Sequence, residues 1–153
     1  MAIEWREQLS IDGDVIDADH RHLINIVNRF ESLAETFDDM SQALEILMSL
    51  RLHAKTHFER EEHLQRVSGY SFHDAHRQEH NELIRKLEGV IAQAENTDLR
   101  GLRELSKQTA QLLHDWLVDH IIRSDLRMKP FVAAMKTEAR KLERLDDMEI
   151  DWT

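Results

Sequence analysis

Residues 16–37 read I-D-A-D-H-R-H-L-I-N-I-V-N-R-F-E-S-L-A-E-T-F. Within this stretch Ile16, His20, Leu23, Val27, Phe30, Ala34 and Phe37 follow one another by alternating steps of four and three residues. That alternation keeps one stripe of a 3.6-residue helix facing the same way, so the spacing predicts an amphipathic helix with one buried edge. His20 is out of character, because it stands where Leu or Ile would pack. Both features, a helical stripe and a polar residue inside it, recur along the chain.

Ala43, Leu47, Leu50, Ala54, His57, Glu61 and Leu64 repeat the stripe in a second segment, with Ser41 predicted as its N-cap. Gly69 suits the position just past that helix, and Ser71-Phe72-His73-Asp74 has the form of a capping box for a third. The third stripe is His73, His76, His80, Leu83, Leu87, Val90 and Ala94. Asn96-Thr97-Asp98 makes a turn and cap, and a fourth helix follows through Leu102, Leu105, Leu112, Trp116 and His120. Pro130 stops it or opens a shorter fifth helix with Phe131, Met135, Leu142 and Leu145 on one side, ahead of an acidic tail from Asp146 to Asp151. Sustained strand alternation is absent, and four glycines and one proline leave room for few turns. The expected fold is all-α, an antiparallel up-down-up-down four-helix bundle with a short N-terminal arm and a C-terminal extra helix. One domain is expected over residues 1–153, with the bundle at about 16–127 and the extension at about 128–153.

Composition excludes several classes of function. Twenty Lys and Arg against 30 Asp and Glu give a net charge of −10, which argues against nucleic acid as a partner. The longest apolar run, Phe131 to Met135, is far short of the roughly 20 residues a membrane span needs. The start of the chain carries Glu4 and Glu7 and no apolar signal segment, so a cytoplasmic protein is expected, monomeric or weakly oligomeric. No cysteine is present, which removes disulfides, thiolate metal sites and cysteine nucleophiles. Histidine is the surplus: ten imidazoles beside 30 carboxylates offer ligand chemistry suited to iron, zinc, manganese or copper.

His20, His57, Glu61, His76 and His80 all fall on apolar stripes. Burying a polar group without a partner costs roughly 1–3 kcal/mol, and a domain's net stability is only about 5–15 kcal/mol. A shared metal removes that burden. His57 and Glu61, like His76 and His80, are four residues apart, about 40° around a helix, so each pair points at one spot.

In this order the motifs resemble the hemerythrin-like di-iron proteins, in particular the bacterial single-domain bacteriohemerythrins. The resemblance runs from Trp5 to about Asp125. It comprises Ile16-Asp17-Ala18-Asp19-His20-Arg21-His22-Leu23, His57-Phe58-Glu59-Arg60-Glu61-Glu62, His76-x-x-x-His80, and Trp116 through His120 to Asp125. It implies His76, His80 and His120 on one iron, His20 and His57 on the other, and Glu61 and Asp125 bridging the two together with an oxo or hydroxo group. The two-histidine iron would keep an open position for dioxygen. The function implied is reversible oxygen binding by a non-enzyme with two iron ions (Fe2+/Fe3+). It would store oxygen, transport it or deliver it to an oxygen-consuming enzyme or membrane oxidase. An oxygen, nitric oxide or redox sensor, or an iron-handling protein, is the alternative on the same site. Phe58 and Trp116 match family aromatics that would wall the oxygen pocket, or serve as plain core.

Asp125 is carried by the resemblance alone: His120 and Asp125 are five residues apart, about 140° on a regular helix, so only the family pattern or a distorted helix end makes Asp125 a ligand. His22, about 200° from His20, is expected to face solvent. His53 and His73 serve packing, capping or support of the ligands. His76-Arg77-Gln78-Glu79-His80 also fits the H-x-x-E-H pattern of a zinc peptidase with Glu79 as general base, a reading that leaves His20, His57, Glu61 and His120 unexplained.

Overall fold

The structure, a computed structural model, describes residues 2–150, with side chains through residue 144; of Leu145 and the acidic tail up to residue 150 only the backbone is described, and it continues the last helix. After a short turn at Glu7–Leu9, four helices follow: α1 (Val15–Leu33), α2 (Met40–Ser68), α3 (His73–Glu95) and α4 (Leu99–Asp119). A π-helical segment, His120–Ser124, and a 3-10 turn, Asp125–Met128, lead into α5 (Lys129–Ile150). No strand occurs among the described residues. The fold is the expected four-helix bundle: α1 packs between α2 and α4, α2 packs closely on α3, and α3 touches α4 only lightly.

Local chemistry sets the ends of the helices. Asp12 accepts the backbone N–H groups of Ile16 and Asp17 at 2.9 and 3.1 Å, opening α1 from outside. The arm before it is strapped to α1 by paired 2.8 Å hydrogen bonds between the Ile3 backbone and the Asn28 side chain. Asp39, rather than Ser41, caps α2, because its side chain accepts the Gln42 N–H. Gly69 ends α2 in the left-handed region at φ 72°, a conformation glycine adopts without strain. No capping box opens α3: Phe72 is its N-cap, without a side-chain cap. Asp98 caps α4 through the Gly101 N–H, as expected.

Three details of the stripes differ from expectation. Helix α1 ends at Leu33, so Ala34 and Phe37 are buried from the turn beyond it, where Phe37 lies 5.3 Å from the Phe30 ring. The buried stripe of α4 is Leu102, Ser106, Thr109, Leu113 and Leu117, while Leu112 is 46% exposed. Ser106 and Thr109 disguise that stripe, since small hydroxyl residues read as surface. In α5, Pro130 sits in the first turn, Val132 is the buried residue, Phe131 and Met135 are half-buried, and Leu142 is exposed.

Apolar packing falls into two clusters. The larger fills the bundle around Leu23, Val27, Phe30, Leu47, Leu50, Leu87, Leu102 and Leu117. The smaller closes one end with Ile11, Ile16, Tyr70, Met128 and Val132, so the start of α5 packs on the bundle. On α1, Ile16 belongs to the end cluster and Leu23 to the larger one, and His20 lies between them. The polar residues therefore occupy a layer between two apolar plugs.

Candidate metal centre

Five imidazoles and two carboxylates converge in that layer: His20 from α1, His57 and Glu61 from α2, His76 and His80 from α3, His120 from the π segment and Asp125 just beyond it. All seven are 3% exposed or less. The carboxylate oxygens are divided between two sets of imidazoles. Glu61 Oε1 lies 3.1 Å from His76 Nε2 and 3.6 Å from His80 Nε2, while Asp125 Oδ1 lies 2.9 Å from both His76 Nε2 and His120 Nε2. The second oxygens face the other way. Glu61 Oε2 is 2.5 Å from His57 Nε2 and 3.6 Å from His20 Nε2, and Asp125 Oδ2 is 2.9 Å from His20 Nε2. The result is two adjoining donor groups, one with three imidazoles and one with two, that share both carboxylates.

The π segment brings Asp125 in. The Asp125 backbone N–H donates to the His120 carbonyl, a five-residue return that stacks the two residues instead of splaying them. This is the helix-end distortion that regular geometry lacked.

Electrostatics inside the layer are strongly coupled. Burial alone would keep each imidazole neutral and each carboxyl protonated. Against burial, Asp125 and Glu61 push His20 up to about 10 and His76 up to about 9. Asp125 and Glu79 push His120 up to about 10 in the same way. Glu61 is held well below the ordinary carboxylate value by His57 in spite of its burial. The cavity wall thus demands positive charge at its centre, which protons or metal ions can supply. His20 Nε2, His57 Nε2, His76 Nε2 and all four carboxylate oxygens crowd together without a well-directed hydrogen bond among the described residues. Orphaned donor atoms aimed at one another, with only nitrogen and carboxylate oxygen in the set, fit a pair of iron-class ions.

Outside the seven lie supports, of which sequence reasoning had singled out only His73. His57 Nδ1–H donates to Asp19 at 3.1 Å, and Asp19 in turn accepts from Arg60. The Gln65 amide lies 2.9 Å from His76 Nδ1 and 3.3 Å from His73 Nδ1, so His73 belongs to this support. Gln65, fully buried, stands beside Leu64, and hydropathy gives the stripe to the leucine. Glu62 comes within 4.0 Å of His80 Nδ1. Glu79 faces His120 and Ser124 and stays out of the cluster, which removes the geometry of a peptidase base. His22 is exposed, its ring 4.3 Å from His53. Phe58 is buried and lies parallel to the His80 ring at 3.9 Å, whereas Trp116 stands at 6.5 Å from Phe58 and lines a groove between α3 and α4.

Fold and site together define a class, the four-helix bundles with a buried imidazole–carboxylate cluster suited to metal. The family model described as the hemerythrin HHE cation binding domain matches residues 12–132, and the chain belongs to the hemerythrin family. It is 30% identical over 118 residues to the bacteriohemerythrin of Methylococcus capsulatus, covering 77% of this chain and 86% of that one. To the bacteriohemerythrin of Clostridium acetobutylicum it is 27% identical over 125 residues, or 79% and 94% of the two chains. The myohemerythrin of Sipunculus nudus is 26% identical over 125 residues, 82% of this chain and 89% of its own. A crystal structure of wild-type hemerythrin shares the fold at a TM-score of 0.73 and 20% identity, covering 86% of this chain and 98% of that one.

Proposed function

We propose that this chain holds two iron ions in the cluster and binds dioxygen reversibly, as a carrier or store rather than an enzyme. His76, His80 and His120 hold one ion, His20 and His57 hold the other, and Glu61 and Asp125 each lend one oxygen to either side. The observation that carries this reading is the division of both carboxylates between a three-imidazole and a two-imidazole group. When bound, the iron pair with its oxo or hydroxo bridge supplies two exchangeable electrons and one coordination position for oxygen. The chain's own part is to hold the donors and keep water out. Three imidazoles beside two carboxylates crowd the first ion, and two imidazoles leave the second less covered. Phe58, flat against His80, dries the wall between the halves, and the plugs around Ile16 and Leu23 close the layer above and below. A histidine-rich, carboxylate-poor donor set leaves less negative charge to stabilise highly oxidised iron, which favours binding over oxidation chemistry.

On this reading the chain is one domain in the cytoplasm that stores oxygen, transports it or delivers it to an oxygen-consuming enzyme or membrane oxidase. No described helix is long and apolar enough to cross a membrane. A sensor of oxygen, nitric oxide or redox state is the second reading, favoured by α5, which stands exposed over residues 137–144, where a partner could reach it. Elemental analysis with optical spectra separates them. The expected result is two irons per chain and a nearly colourless reduced form that gains absorption in oxygen and loses it on deoxygenation. Fewer than about one iron per chain after reconstitution overturns the metal assignment, and irreversible oxidation at first exposure overturns the carrier role in favour of sensing.

A further inference from the structure

Glu79 is the carboxylate of the His76–His80 motif, and it is not among the seven residues of the cluster. Its side chain, 39% exposed, reaches across to the π segment that follows α4. There His120 Nδ1–H donates to Oε1 at 3.0 Å, and the Ser124 hydroxyl, hydrogen-bonding the same carboxylate, lies 2.6 and 2.8 Å from its two oxygens. Those two donors are the first and last residues of the π segment. Backbone of this kind is rare and persists where its surroundings over-determine it. Ile121 anchors the segment to the core on its inner side, while towards α3 it borders a groove of about 410 Å³ lined by Glu79, Trp116, His120 and Ser124 among others, so on that side the Glu79 carboxylate is what holds it.

The geometry points to Glu79 as a positioning residue: its carboxylate clamps both ends of the π segment and so sets the register that stacks Asp125 beside His120. The same carboxylate places a negative charge behind His120, where an imidazole ligand becomes a stronger electron donor. His20, at the opposite side, has no partner on Nδ1 among the described residues. Each group thus has one imidazole backed by a hydrogen-bonded carboxylate, His120 by Glu79 and His57 by Asp19. The second consequence rests on the two-iron reading; the first does not.

The test compares Glu79→Gln, Glu79→Ala and Ser124→Ala with the exposed neighbour Glu82→Ala. Amide hydrogen exchange over residues 120–125 is measured on the metal-free chains, and iron content and midpoint potential on the iron-loaded ones. Glu79→Ala is expected to speed exchange in the segment and to weaken metal affinity by about 10–100-fold. Glu79→Gln is expected to keep slow exchange and both irons but to shift the midpoint positive, a change that loss of mere packing would not produce. Ser124→Ala should speed exchange less than Glu79→Ala, and Glu82→Ala should match the native chain throughout. Native exchange in Glu79→Ala and Ser124→Ala overturns the clamp, and a native midpoint in Glu79→Gln overturns the charge effect. If Glu79→Ala does not fold, Ser124→Ala decides the clamp. A native chain that takes up no iron would defeat the two-iron reading, while the exchange data on metal-free chains would still decide the clamp.

Discussion

The three-imidazole and two-imidazole halves of the cluster share both carboxylates, yet the protein supports them differently. On the first, Glu79 grips His120, the Gln65 amide meets His76, and Glu62 approaches His80. On the second, Asp19 holds His57, and His20 Nδ1 has no partner among the described residues. Two of the three imidazoles in the first half are hydrogen-bonded from outside, with Glu62 4.0 Å from the third, against one of two in the second. The difference teaches that asymmetry in such a site is built by the surrounding residues as well as by the number of imidazoles.

Glu61 belongs to both halves, so its loss should have the largest effect. Glu61→Ala is expected to lose at least one iron per chain and to lower the melting temperature, because bound metal stabilises the folded state. Elemental analysis with calorimetry checks it, and native iron content together with a native melting temperature would remove Glu61 from the shared position. Next comes the contrast between halves. His20→Ala should empty or weaken only the two-imidazole half, leaving about one iron per chain and no spectral response to oxygen. Equal loss of both irons would mean that the halves do not bind independently.

Asp17 sharpens the comparison from the α1 side, one turn before His20. Its buried carboxylate accepts from the Ser10 hydroxyl at 2.5 Å and from the Ile11 and Gly13 N–H groups at 2.7 and 3.0 Å. Burial would raise its pKa, but these bonds hold it below the ordinary 3.8. A carboxyl depressed in the folded state contributes stability that is complete above the unfolded value and is lost as pH falls through the folded one. Asp17→Asn should therefore cost roughly 1–3 kcal/mol at neutral pH and flatten the fall in stability below about pH 4. Denaturant melts at pH 7 and pH 3 would show it, and an equal loss at both would contradict the sign. The smallest effect belongs to His22→Ala: iron content unchanged and stability within about 0.5 kcal/mol, as at most exposed positions. If His22→Ala sheds iron and His20→Ala does not, the register of α1 assigned to the cluster is wrong.

Much of this molecule is legible in the chain. The four-three stepping of Ile16, Leu23, Val27 and Phe30 requires a helix with one buried edge, whatever packs against it. His20, His57, Glu61, His76 and His80 stand out because each breaks an apolar stripe at a position that periodicity alone assigns to the interior. Where hydroxyl residues carry the stripe, as at Ser106 and Thr109 in α4, hydropathy points to the wrong face and Leu112 is misread as buried. Asp125 could be taken from family resemblance but not from helical arithmetic, since a regular helix turns it about 140° away from His120.

Tertiary structure decided the remainder. Whether a helix closes one residue late depends on what waits across the bundle, and here Glu79 of α3 waits for His120 and Ser124. Likewise Asp19, Gln65 and Glu79 are ordinary polar residues in sequence and become supports only when three helices bring them behind the ligands. Periodicity records which face of each helix is buried, because burial is a property of single segments. Which residues meet across helices depends on the rotation and offset of neighbours, and that information is held in the packing.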